Sequence, residues 1–268
     1  MADAPRRCPR EGRPGATIRG LKRIAILFSG QGTHMRNLAL ACAEGRLPAQ
    51  VVAVVCNKPD APGVNHARDL GLPLQVLDHR EFADRDRFDE SLARHLEAAQ
   101  PDLVVLAGFM RILTPAFVRR FSGRLVNIHP SLLPAFPGVH THARALESGV
   151  RLHGATVHLV TEALDHGPIL AQAAVPVQPQ DDVETLAARV LQAEHALYPR
   201  AISWLLEERV NVHGGRAQIE GIDAAQRLLM WGFEQPVSGS PDDSPSLVQS
   251  PSPVQPTWST DRANRQSA

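Results

Sequence analysis

Asn127, His129, His140 and His142 crowd into one stretch, LVNIHPSLLPAFPGVHTH at 125–142, and their spacing decides which chemistry is open to them. Asn127 and His129 stand two residues apart at the end of an apolar run, so on a β-strand both side chains leave the same face. An amide donor beside an imidazole suits stabilisation of a developing oxyanion together with proton transfer. A structural histidine with satisfied nitrogens is the competing reading. His140 and His142 form an HxH pair that could share a metal on a strand. Pro134 and Pro137 place the pair in a loop, and no third ligand has motif spacing, so no metal is expected. Asp165, in LDHGP, lies beyond the apolar run ATVHLV. Its carboxylate could face His129 and fix its tautomer. Ordinary turn chemistry accounts for the same residues, and spacing does not choose between the two.

SGQGTH (29–34) sits between an apolar run and a helical pattern. Free backbone N–H groups at a helix start, with glycines allowing close approach, make an anion site. The dinucleotide fingerprint fails twice: Met35 stands where a small residue should pack, and Asn57 where an acidic residue should hold a ribose. No GK[ST] follows, so the P-loop fails as well. A phosphate-bearing substrate is the expectation, a plain tight turn the alternative. GFMRIL (108–113) leaves another apolar run through a glycine. Met110, Ile112 and Leu113 read either as core of the next element or as an apolar slot for a flat ring.

Something must hold these groups together, and the rest of the chain supplies it. Apolar β-prone runs at 23–29, 51–56, 74–77, 103–108 and 125–129 alternate with helical patterns ending at Ala43 and spanning 65–70 and 85–98. That order predicts an α/β fold, a mostly parallel twisted sheet with helices on both faces. Functional groups then gather at the carboxyl ends of the strands. The loops at 30–34, Asn57, 108–111 and 127–129 are therefore expected on one rim. ATVHLV and ILAQAAVPV read as two further strands, and 183–207 as a long amphipathic helix. The folded domain is expected over 23–228, with disordered tails at 1–22 and 229–268, the second rich in Pro, Ser and Gln.

Composition narrows the partners. Lys and Arg total 28 and Asp and Glu total 28, so no field of one sign draws nucleic acid or a membrane surface. Cys8, Cys42 and Cys56 are too sparse for a disulfide framework or a zinc site, which fits a reduced, cytoplasmic setting. No apolar run approaches the roughly 20 residues of a membrane span. The N-terminus has no apolar segment of a secretory signal.

Taken together, SGQGTHMRNL, VVCNKPDAPGVNHARDLGLP, PDLVVLAGFMRILTPAFV, GRLVNIHPSLLPAFPGVHTHARALESG, HGATVHLVTEALDHGPILAQAAVPV and AEHALYPRAISWL closely resemble the phosphoribosylglycinamide formyltransferases, folate-dependent formyltransferases with a Rossmann-like fold. NIHPSLLP with the later LD-GP is shared among formyl-folate enzymes; the PG-HTH continuation points to this branch, and a formyltetrahydrofolate hydrolase would show NIHHSFLP. The resemblance implies formyl transfer from 10-formyltetrahydrofolate to 5-phosphoribosylglycinamide, in purine synthesis, with no metal. It implies Asn127, His129 and Asp165 as the catalytic trio, Gly32, Thr33 and His34 as the phosphate loop, and Glu194 as the glycinamide-binding residue. Folate would contact Arg85, Met110, Arg111, Ile112, Leu113, Asn127, Thr161, Glu162, Ala163 and Leu164. One departure stands out: the family has Ser-Asn where this chain has Thr33 and His34. Small-molecule substrates and a monomer or homodimer are expected; hydrolysis of formyl folate, or silent ligand binding, are the alternatives.

Overall fold

Odd and even residues of the apolar runs enter two different cores, and that alternation organises the molecule. In β1 (Lys22–Phe28), Ile24, Ile26 and Phe28 join one buried cluster, and Ala25 and Leu27 join the other. β4 (Leu103–Leu106) divides the same way, Leu103 and Val105 against Val104 and Leu106. A strand covered on both faces has no position for a polar side chain, so the fully buried stretches Ile24–Phe28 and Leu103–Leu106 are apolar throughout. The computed structural model describes residues 21–233; most of both expected tails, 1–20 and 234–268, lies outside the described residues.

The strand order of the main sheet is 10-7-6-5-4-1-2-3. β1 lies between β2 (Ala49–Cys56) and β4, with β3 (Leu74–Val76) beyond β2 and β5 (Leu125–His129) beyond β4, all parallel. β6 (Leu152–Leu159) then runs antiparallel to β5 and to β7 (Ile169–Pro176), and β10 (Leu228–Met230) pairs in parallel with β7 at the edge. β8 (Val210–His213) and β9 (Arg216–Ile219) form a separate hairpin. The mostly parallel sheet expected from the sequence is therefore present.

The first core is closed by α1 (Thr33–Ala43), α2 (Gly63–Asp69), α5 (Thr141–Glu147) and α6 (Val183–Leu206), through residues such as Leu38, Val64, Ala145 and Leu197. The second is closed by α3 (Arg85–Ala99) and α4 (Pro115–Arg120), through Phe88, Leu92 and Phe117. This second layer ends at β5, which contributes only Leu125 to it. Ala155, Val157 and Leu159 of β6 all enter the first core. Asn127, His129, Thr156 and His158 consequently face a part of the sheet that helices do not cover. The connections 130–140 and 160–168 lie over it instead, held there by contacts to Thr156 and His129.

α6 begins with a reciprocal cap, Asp182 accepting from the Thr185 N–H at 2.8 Å and the Asp182 N–H donating to the Thr185 hydroxyl at 2.9 Å. Farther along, the buried Tyr198 hydroxyl faces the carbonyls of Leu106 and Val126 at 2.8 and 3.2 Å, pinning the helix to β4 and β5. Among the described residues no helix is long and apolar enough to cross a membrane.

The expected bounds at 23 and 228 both fall within strands. β1 already includes Lys22, and β10 runs across residue 228. Leu229 and Trp231 pack on the first core, and the Trp231 N–H donates to Ala174 at 2.9 Å. A three-residue strand has no readable period, and its partner lies far back in the chain. A chain ending at Leu228 is expected to unfold about 2–4 kcal/mol more easily than one ending at Phe233, from the lost apolar area and ladder bonds. Urea titration of the two chains checks this, and coincident midpoints would show that β10 adds nothing.

Candidate active site

The antiparallel register sets Asn127 directly opposite His158 and His129 opposite Thr156. Each imidazole there is held in one tautomer by a carbonyl, which can only accept. His158 Nδ1 lies 3.0 Å from the Leu159 oxygen, so Nδ1 carries the hydrogen and Nε2 accepts from Asn127 Nδ2 at 3.2 Å. Burial lowers the His158 pKa from 6.5, against the opposing pull of the Leu159 carbonyl and Asp165, and so favours this neutral form. His129, buried, donates from Nε2 to the Phe136 carbonyl at 3.0 Å. Its Nδ1 is left facing Asp165 Oδ2 at 3.6 Å. That nitrogen is the one left without a carbonyl partner, beside a carboxylate.

Asp165 reaches this position by an indirect path. β6 ends beside the start of β5, Leu159 pairing with Val126, so the following loop must fold back along the sheet face to His129. Asp165 takes a left-handed backbone, φ 55°, which a short polar residue tolerates. Its Oδ2 accepts from the Gly138 N–H at 2.8 Å, and its Oδ1 lies 4.0 Å from His158 Nε2. Gly167 permits the return: a Cβ there would fall 1.7 Å from the Leu159 oxygen.

The connection after His129 is held rigid by one hydroxyl. Thr156 Oγ1 donates to the Ser131 carbonyl at 2.7 Å and accepts from the Leu133 N–H and from Gln172 Nε2, each at 3.0 Å. Gln172 also donates to the Leu133 carbonyl, and Ser131 Oγ to Ala135, at 2.6 Å. The result aims the Phe136 carbonyl at His129. Behind it, the buried His153 ring packs edge-on against Phe136, and its Nε2 lies 3.2 Å from His142 Nδ1. His140, by contrast, is exposed at the start of α5. Among the described residues no three His, Cys, Asp or Glu side chains gather as a metal ion would need.

The loop 29–34 builds the second part of the site. α1 starts after Gly32, φ 70°, with no side-chain cap and no acidic residue in its first turn, leaving N–H groups for an anion. Gly32 and Gly63 touch backbone to backbone: a Cβ on Gly63 would lie 2.9 Å from the Gly32 Cα. Ser29 Oγ donates to Asn57 Oδ1 at 2.6 Å and accepts from the Met110 N–H at 2.8 Å. This chain ties the ends of β2, β1 and β4 together, and β5 is registered beside β4 with Leu106 opposite Asn127, so the expected common rim exists. A cleft of about 240 Å³ opens there, lined by Gly30, Gln31, Gly32, Thr33, His34, Lys58 and Met110. It lies where strand order reverses between β1 and β4, the usual crevice of such sheets. The His34 ring turns out of the loop toward α6, its Nε2 3.3 Å from Glu194 Oε2.

Residues expected to touch folate divide into two groups. Met110, Ile112 and Leu164 are large apolar side chains, each more than half exposed. Leu113 instead packs partly buried on the second core, and the Arg111 guanidinium stacks 4.5 Å above the Phe88 ring. Arg85, Thr161, Glu162 and Ala163 are exposed; Glu162 pairs with Arg119 at 3.1 Å and Thr161 Oγ1 donates to Ala163 at 3.2 Å. His158 and the Phe136 carbonyl were not singled out from the sequence. The one available signal was a histidine interrupting the apolar ATVHLV, alternating with Thr156.

A parallel sheet with this polar β5–β6 face defines a class. The formyl transferase family matches residues 22–202, and the chain belongs to that family. Within it, the chain is 45% identical over 210 residues to the phosphoribosylglycinamide formyltransferase of Escherichia coli, covering 78% of this chain and 97% of that one. It is 47% identical over 187 residues to the trifunctional purine biosynthetic protein adenosine-3 of Drosophila melanogaster, covering 69% of this chain and 14% of that larger protein. The crystal structure of glycinamide ribonucleotide transformylase 1 from Symbiobacterium toebii superposes with a TM-score of 0.74 at 43% identity, over 78% of this chain and 98% of that one.

His153 sets an acid limit on the fold. Burial, assisted by His142 and His129, pushes its pKa from 6.5 down to about 4. Above pH 6.5 the ring is neutral in folded and unfolded chains alike. As pH falls from 6.5 toward 4 the unfolded chain binds the proton first, so stability declines until the folded ring also titrates. The full span is about 3 kcal/mol. His153→Gln is expected to flatten this decline in urea unfolding followed across that pH range; an unchanged slope would refute the assignment.

Proposed function

We propose that the protein transfers the formyl group of 10-formyltetrahydrofolate to the amine of 5-phosphoribosylglycinamide, yielding formylglycinamide ribonucleotide and tetrahydrofolate in purine biosynthesis. The observation that carries this reading is His129, fixed by the Phe136 carbonyl so that Nδ1 faces Asp165, on the same strand face as Asn127. The exposed Met110, Ile112 and Leu164 suit the flat folate ring, with Arg85, Arg111, Leu113 and the segment 161–164 around it. The first turn of α1, with Gly32, Thr33 and His34, suits the phosphate, and Glu194 the glycinamide end.

The chemistry follows from the placement of donors. The amine lone pair attacks the formyl carbon, and the carbonyl electrons move to oxygen. The amide N–H of Asn127 and the Nδ1 proton of protonated His129 stabilise that oxyanion, the charged donor contributing more. One proton must leave the attacking amine and one must reach N10 before the carbon–N10 bond breaks. His129 Nδ1 is the ring nitrogen free for both transfers in turn, first giving its proton to N10 and then, neutral, taking the one the amine sheds, beside the Asp165 carboxylate. His158 keeps the Asn127 amide turned for its task by accepting one of its hydrogens. No covalent enzyme intermediate is required. We read the protein as a monomer or a homodimer, acting on diffusible substrates in the cytoplasm.

The test follows tetrahydrofolate production from formyl folate with and without the nucleotide. Release that depends on nucleotide is expected. Equal release without it would make the protein a hydrolase, and binding without any release a silent relative. His129→Ala and Asp165→Asn are each expected to slow turnover by roughly 10²–10⁴-fold while nucleotide binding persists; near-normal rates in either would overturn the mechanism.

A further inference from the structure

One side chain joins the phosphate loop to the opposite end of the nucleotide site. His34 stands in the first turn of α1, yet its ring spans to α6, where Nε2 lies 3.3 Å from Glu194 Oε2. Both side chains are nearly enclosed, 11% and 7% exposed. Nδ1 of His34 is enclosed with no hydrogen-bond partner among the described residues, and the Glu194 carboxylate is the charged group that faces the other ring nitrogen. The His195 and Tyr198 rings meet the imidazole edge-on, with centroids 5.1 and 6.1 Å away, and fix its plane. Tyr198 in turn is bound to the carbonyls of Leu106 and Val126, so Glu194 is presented from a stretch of helix that the sheet anchors.

A carboxylate in such an enclosed place takes its direction from its donors, because a charge-assisted contact there is stronger than in water. The amide that family resemblance leads one to expect at position 34 is too short for this contact, since an asparagine ends well before the far ring nitrogen of a histidine. A glutamine reaches it. The tie is therefore a property of the residue this chain carries.

We propose that His34 is a positioning residue that couples the phosphate grip of the loop to the Glu194 carboxylate, so that the two ends of the nucleotide are bound as one unit. This rests on the reading of Glu194 as the glycinamide-binding residue.

Calorimetric titration of the full chain with 5-phosphoribosylglycinamide, and separately with ribose 5-phosphate, tests it. His34→Asn is expected to weaken nucleotide binding about tenfold or more, and ribose 5-phosphate binding by a clearly smaller factor. His34→Gln restores the nucleotide affinity. In a Glu194→Ala background, His34→Asn costs nothing beyond that smaller factor, because the coupling is already gone. Additive losses, or equal loss of ribose 5-phosphate, would mean that His34 serves only the loop and would overturn the proposal. Unchanged nucleotide binding in Glu194→Ala alone would remove the glycinamide reading and this inference with it. Failure of formyl transfer itself shows in the turnover assay, independently of these affinities.

Discussion

β6 runs against its neighbour β5, and the chemistry depends on that reversal. A parallel strand in its place would have needed a crossover, most readily a helix over one face of the sheet. The antiparallel strand needs no such cover, and the face of β5 carrying Asn127 and His129 stays open to loops. The same pairing sets His158 opposite Asn127 and Thr156 opposite His129, so both of these polar side chains acquire a cross-strand partner.

Buried polar groups cost free energy unless their hydrogen bonds are made, and here the bonds also choose protonation sites. The Phe136 carbonyl takes Nε2 of His129, the Leu159 carbonyl takes Nδ1 of His158, and the tautomers follow. Thr156 uses its donor and both acceptor positions to hold the connection that carries Phe136. The network is thus an orienting device: loosening Thr156 would turn the carbonyl, and turning the carbonyl would free the His129 ring to rotate.

The loop 29–34 obeys a different constraint, close backbone approach. Gly32 meets Gly63, Ser29 links Asn57 to Met110, and the helix start is left with unspent N–H groups. His34 turns from this loop toward Glu194 of the long helix, 3.3 Å away.

Much of this was legible in the residues, because it is local. Period-two alternation places Asn127 and His129 on one face, and unbroken apolar runs announce strands covered on both sides. Glycines between a strand and a helix announce an anion loop. The motifs carried the family, since their order along the chain is specific. Leu113 and Arg111 were harder, as an apolar or cationic residue after a strand can face either core or ligand. The three-residue β10 could not be read, because its only support is β7. Above all, LDHGP looks the same whether the Asp165 carboxylate serves only its own turn or reaches His129. Only the tertiary structure decided it: the loop folds back across β5, and that path is set by the sheet pairing and by the Gly138 N–H that receives the carboxylate, neither of which is written near Asp165 in the chain.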